Sequence, residues 1–123
     1  MMTRVIGAVA MAVALAMSAA LAHDPKPQHG GAIVVAGNYH VELVAKGTQV
    51  DVYLLDHNDK PVVTKGRKGV AILVVEGKSI RIALESVGDM RLSGTAAVAI
   101  PGNPKGVVQV TEPTGGTVQA RFN

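Results

Sequence analysis

The chain has 123 residues, a formal net charge of +3, no cysteine and no tryptophan. Without thiols it has no disulfide framework, no nucleophilic cysteine and no thiolate metal ligand. Its charges are interspersed, which argues against nucleic acid as a partner, because that partner asks for a clustered basic face.

The first 22 residues read as a secretory signal peptide. Arg4 is the only charge before Asp24, and Val5–Met17 is apolar throughout. Ser18-Ala19-Ala20-Leu21-Ala22 then supplies small residues at an A-x-A cut site. The segment is barely long enough to span a bilayer, which takes about 20 apolar residues. The expectation is cleavage after Ala22 and a periplasmic product with no membrane attachment. Four of the five methionines leave with the signal, so only Met90 remains and a Met-rich copper site is excluded. Tyr39, Tyr53 and Phe122 are the only aromatic residues, too few to build stacking platforms for sugars or bases.

Residues 23–30, His-Asp-Pro-Lys-Pro-Gln-His-Gly, carry two prolines and no apolar side chain, and read as a flexible arm. From residue 31 to 123, short apolar stretches alternate with turn signals. The expected strands are Ile33–Ala36, Tyr39–Ala45, Gln49–Leu55, Val70–Val75, Ser79–Leu84, Ala96–Ile100, Val107–Thr111 and Thr117–Phe122. Several have period two, such as Val50, Val52 and Leu54, and no segment in this range has a helical period. The fold class is therefore all-β: a single small antiparallel β-sandwich or barrel-like domain. Val70–Val75 is apolar on both faces and reads as a central strand covered on both sides.

Nothing resembles an acid/base pair, a Ser/His/Asp set or a phosphate-binding loop, so the chain reads as a non-enzyme. Its unusual resource is histidine: His23, His29, His40 and His57 all fall in the first third of the exported chain. A hairpin closed at Gly47-Thr48 would set Lys46 against Gln49. Val41 then faces Leu54, and Leu43 faces Val52, matching apolar to apolar. The other face carries His40 opposite Leu55 and Glu42 opposite Tyr53, with His57 two residues further on the same side. The diagonal separation is roughly 7–8 Å between backbones, within reach of one ion. Glu42 could be a third ligand or could hold a ligand in place. Imidazole and carboxylate without thiolate favour Cu(II), Ni(II) or Zn(II) over Cu(I). A second arrangement starts from the arm. Cleavage after Ala22 would make His23 the N-terminus, and its amine and ring could chelate copper, with His29 or His40 completing a brace.

His29-Gly30-Gly31 followed by Gly37-Asn38-Tyr39-His40-Val41-Glu42-Leu43-Val44 resembles the opening of a group of small exported bacterial proteins. In these an H-G-G turn precedes a G-x-Y-H-x-E-L-V strand. A similar start occurs in extra β-domains of periplasmic adaptor subunits from heavy-metal efflux pumps. The likeness extends more loosely through Tyr53–His57, Lys60-Pro61-Val62 and Gln119–Phe122. It implies a periplasmic β-domain linked to metal handling, with His29, His40 and Glu42 as motif positions. The chain lacks the helical hairpin and lipoyl-like segment of a complete adaptor.

Two functions follow as expectations. One is a metal-binding or metal-delivery protein for Cu(II) or Zn(II) that serves an efflux component. The other is a non-catalytic interaction module, in which outward residues Ile33, Val35, Val44 and Leu55 dock on a partner.

Overall fold

The structure is a computed structural model, described over residues 24–123. The signal peptide, its cut site and His23 lie outside these residues. Eight strands follow in chain order: β1 (Ala32–Ala36), β2 (Tyr39–Lys46), β3 (Gln49–Leu55), β4 (Lys68–Val75), β5 (Lys78–Val87), β6 (Arg91–Thr95), β7 (Lys105–Thr111) and β8 (Thr117–Phe122). All pair antiparallel in one sheet of order β1-β2-β3-β6-β5-β4-β7-β8. The two end strands lie against each other, so the sheet curls into a nearly closed barrel rather than two stacked sheets.

Period two in the sequence becomes inside and outside in the barrel. Val41, Leu43, Val50, Val52 and Leu54 point inward from the first hairpin and are fully buried. Ala71 and Leu73, Ile82 and Leu84, Leu92, Val108 and Val110, and Ala120 and Phe122 meet them from the other strands. Each such side chain contributes about 1.5–3 kcal/mol on burial, and together they fill the interior of a small barrel. The β2–β3 register is the expected one: Val41 faces Leu54, Leu43 faces Val52, and Lys46 faces Gln49. Gly47 opens the two-residue turn at φ +58°, a conformation that a side chain would oppose. The β4–β5 hairpin turns at Glu76 and Gly77, both at positive φ.

Three local expectations are corrected. Ala96–Ile100 is not a strand. Its Ala96 and Ile100 amides donate to the carbonyls of Thr48 and Gly47 at 2.7 and 2.8 Å, and both side chains are buried while residues 97–99 are exposed. The segment folds over the β2–β3 turn. The strand that fills the sheet here is β6, Arg-Leu-Ser-Gly-Thr, with Leu92 as its only large apolar residue. Gly94 in it is required by close approach, since a Cβ there would overlap the Ala83 carbonyl oxygen. Val70–Val75 is central but covered on one face only, because among the described residues nothing packs over Ile72 and Val74, which are exposed. Finally, Val44 and Leu55 point outward from the barrel and yet are buried, so they are not docking residues. Of that proposed set, Val35 is exposed and Ile33 is half-buried.

Candidate functional site

The outer face of β2 and β3 is where a barrel would ordinarily meet water, yet His40, Glu42, Val44, Asp51 and Leu55 are all buried there. Two segments cover His40, Glu42, Val44 and Leu55, residues 28–31 and the connection from Asp56 to Arg67, while Asp51 lies against the side chains of Gln49 and Ser93.

Glu42 anchors the first segment. Its Oε1 accepts from the Gln28 amide at 3.0 Å and faces His29 Nδ1 at 2.9 Å. Its Oε2 accepts from the amides of His29 at 2.8 Å and Gly31 at 3.0 Å. A carboxylate only accepts, so His29 Nδ1 carries a proton and donates it. Burial alone pushes the Glu42 carboxyl up, but the His29 ring and the three amides outweigh it and hold its pKa below the ordinary carboxylate value. The His29 ring also stacks on Tyr53, with centroids 3.6 Å apart and planes within 5°. The H-G-G motif now has a physical reading. His29 supplies a donor and a stacking face, Gly30 takes φ +76°, and a Cβ on Gly31 would overlap the Leu43 carbonyl oxygen. The end of the expected arm is thus tied to the barrel at Gln28, His29 and Gly31.

The second segment carries His57. Leu55 forms a lone bridge with Pro61, and the Val62 amide donates to the Leu54 carbonyl at 2.9 Å, folding the connection back along β3. Within it Asp56 Oδ1 accepts from the amides of Asn58 at 2.8 Å and Lys60 at 3.0 Å. The Lys60 amide is the main reason that the Asp56 carboxyl sits below its ordinary pKa. This turn holds Asp59 at φ +60° and directs its carboxylate back to the barrel, where Oδ1 lies 3.0 Å from His40 Nδ1. Further along, the buried Thr64 hydroxyl donates to the Arg91 carbonyl at 3.0 Å and pins the loop.

The five residues expected at a metal site therefore separate. His29 and Glu42 form one pair. His40 and His57 form another, with ring centroids 5.6 Å apart and planes at 81°. His23 lies outside the described residues. Gln28 ties the pairs together, its amide on Glu42 and its side chain donating to the Asp59 carbonyl at 3.1 Å. Among the described residues no group of three or more His, Asp and Glu side chains is gathered around one point as a closed metal cage. Glu42 has each oxygen committed twice within the chain. His40 differs: with Nδ1–H donated to Asp59, the lone pair of a neutral ring sits on Nε2, which has no hydrogen-bond partner among the described residues. Two imidazoles bound to one ion at about 2.0–2.1 Å have ring centres roughly 5–5.5 Å apart. The 5.6 Å separation of His40 and His57 is close to that value. His57 is exposed and His40 is nearly buried, so the pair lines a position open to solvent on one side.

Asp59, the residue that orients His40, is absent from the sequence expectation. The only sequence signal is the run Asp56-His57-Asn58-Asp59, which reads as a turn and gives no indication of which strand it folds back to touch.

Comparison with family models, curated proteins and solved structures finds no match for this chain.

Proposed function

We propose that this domain is an exported metal-binding or metal-delivery protein that holds Cu(II) or Zn(II) at an open site formed by His40 and His57. The observation that carries this reading is the His40–Asp59 pair beside His57. A carboxylate on the far ring nitrogen fixes the tautomer, aims Nε2 and raises ligand basicity, as in carboxylate–histidine–metal arrangements generally. Two protein ligands leave other positions to water or to a partner's side chain. That suits a carrier which must release its cargo better than a structural site, which is normally closed. His29 and Glu42 serve here as the clasp that holds the covering segment over β2. The resemblance to efflux-associated β-domains supports an efflux component as the recipient.

Isothermal titration of the protein with Cu(II) and with Zn(II) tests this. One ion per chain is expected, with binding lost in His40→Ala/His57→Ala and weakened about 10–100-fold in Asp59→Asn. Unchanged binding in the double histidine variant overturns the proposal. Binding that depends instead on His29 would move the site to the arm.

The alternative of a non-catalytic interaction module without metal is favoured by a separate observation, the uncovered face of β4, which carries the next inference.

A further inference from the structure

We infer that the outward face of β4, with its neighbours β5, β7 and β8, docks an acidic segment of a partner protein. Along β4, Val70, Ile72 and Val74 point outward; Ile72 is 38% and Val74 45% exposed. The register sets Arg81 of β5 and Val107 of β7 on either side of Ile72. Arg121 of β8 lies beyond Val107, and Lys105 lies beside Val74. Neighbouring strands stand about 4.8 Å apart, so Arg81 and Arg121 bracket the apolar floor across roughly 14–15 Å. None of these three cations takes part in an ion pair among the described residues.

The face is also shaped. A depression of about 320 Å³ lies over Val70 and Ala83 at one end of β4. Another of about 420 Å³ lies between Lys105 and Arg121 beside Val74 at the other. The two depressions lie at the two ends of the same outward face, with the exposed Ile72 between them. At the Val70 end Glu85 stands opposite Lys68, so the unbalanced positive charge lies toward the Val74 end.

An occupant of this face must offer apolar side chains to Val70, Ile72, Val74 and Val107, and carboxylates to Arg81, Lys105 and Arg121. Charge complementarity of this kind sets partner choice and register. A second copy docking face to face through the same surface would bring the same cations to the same place and be repelled. A bilayer surface is a poorer fit, because interfacial anchoring uses aromatic and long apolar side chains, and this face has short β-branched ones. The chain's own first 23 residues hold no carboxylate to meet the cations. β2 and β4 stand second and sixth of eight in the strand order, so this face and the His40–His57 site lie on opposite sides of the barrel. The two proposals stand or fall independently.

The test uses a fluorescein-labelled peptide of Glu-Glu-Val-Val repeats, which presents both residue types on each side of an extended chain, followed by anisotropy and by NMR shift mapping on the metal-free protein. Saturable binding is expected, with shifts confined to residues 70–74, 81, 105–107 and 121. Weakening by about tenfold or more is expected in Arg81→Glu/Arg121→Glu and in Ile72→Ser/Val74→Ser. All four residues are exposed, and an unchanged circular dichroism spectrum checks the fold. A Lys/Val peptide should not bind. Absence of saturable binding up to millimolar peptide, or binding that survives both double variants, overturns the inference. So does tighter association with equimolar phosphatidylcholine/phosphatidylglycerol vesicles than with the peptide, which would indicate a membrane surface. A dimer in light scattering that Ile72→Ser/Val74→Ser dissociates would likewise overturn it, by assigning the face to a second copy.

Discussion

Replacing Glu42 with Gln is the most informative single perturbation of this domain. Glu42 lies on the solvent side of β2 by strand parity, where a Glu-to-Gln change would ordinarily shift stability within about 0.5 kcal/mol. Here the side chain is fully buried, and both its oxygens face donors: the amides of Gln28, His29 and Gly31, and the His29 ring. Glutamine can turn its carbonyl to one pair of donors only. Its NH₂ then points at the other pair, leaving donors facing donors. Removing one partner from a buried charged arrangement costs about 3–5 kcal/mol, and Glu42→Gln should fall near the lower end of that range, with Glu42→Ala nearer the upper. For a domain of this size each kcal/mol moves the melting temperature by about 4–8 °C, so a fall of well over 10 °C is expected. Urea denaturation followed by circular dichroism gives the free energy. Amide exchange at Gln28, His29 and Gly31 reports whether the covering segment opens before the barrel does. A Gln variant within about 0.5 kcal/mol of the parent, with those amides still protected, would refute the reasoning.

Other consequences can be checked on the same protein. The Glu42 pKa is held below its ordinary value in the folded state. Its contribution is therefore fully present above the unfolded carboxyl's pKa and is lost as pH falls through the lower, folded value. Urea midpoints should drop on acidification from neutral pH to pH 3, with a shallower drop in Glu42→Gln. Gly31→Ala must displace the Leu43 carbonyl and should cost clearly more than Gly30→Ala, which meets open space and incurs only the positive-φ penalty of about 1 kcal/mol. Thermal melts of the two variants decide it. At the far end of β2, Arg67 donates to Glu112 and to the Tyr39 hydroxyl, at 3.1 and 3.2 Å. Arg67→Ala should cost about 1–3 kcal/mol by leaving the Glu112 carboxylate with the Tyr39 hydroxyl as its remaining donor, and Glu112→Gln in the same background should recover part of it in a double-mutant cycle.

Much of the barrel is legible in the sequence because local chemistry and the buried face agree. Alternating Val, Ile and Leu marks the strands, and Gly47 with its flanking pair fixes the first hairpin in a register that keeps Val41, Leu43, Val50, Val52 and Leu54 on the same side. The reading fails where a long-range contact replaces local pattern. β6 has a single large apolar residue and belongs to the sheet because β3 and β5 both offer it hydrogen bonds. Ala96–Ile100 is apolar throughout and yet is drawn away from the sheet by the Thr48 and Gly47 carbonyls.

The candidate site divides the same way. The sequence by itself determined the supply of histidines, the absence of thiols and the placing of His40 and Glu42 on one face of β2, since strand parity is a local property. Only the tertiary structure decided what they do. Folding back residues 28–31 gives Glu42 to His29, and folding back residues 56–61 gives His40 to Asp59 and sets His57 beside it. Both decisions follow from closure of loops whose ends are far apart in sequence. There, a carboxylate meeting its donors, Glu42 buried among three amides and a ring and Asp59 half-exposed on the buried His40, outweighs any preference that the loop residues carry on their own.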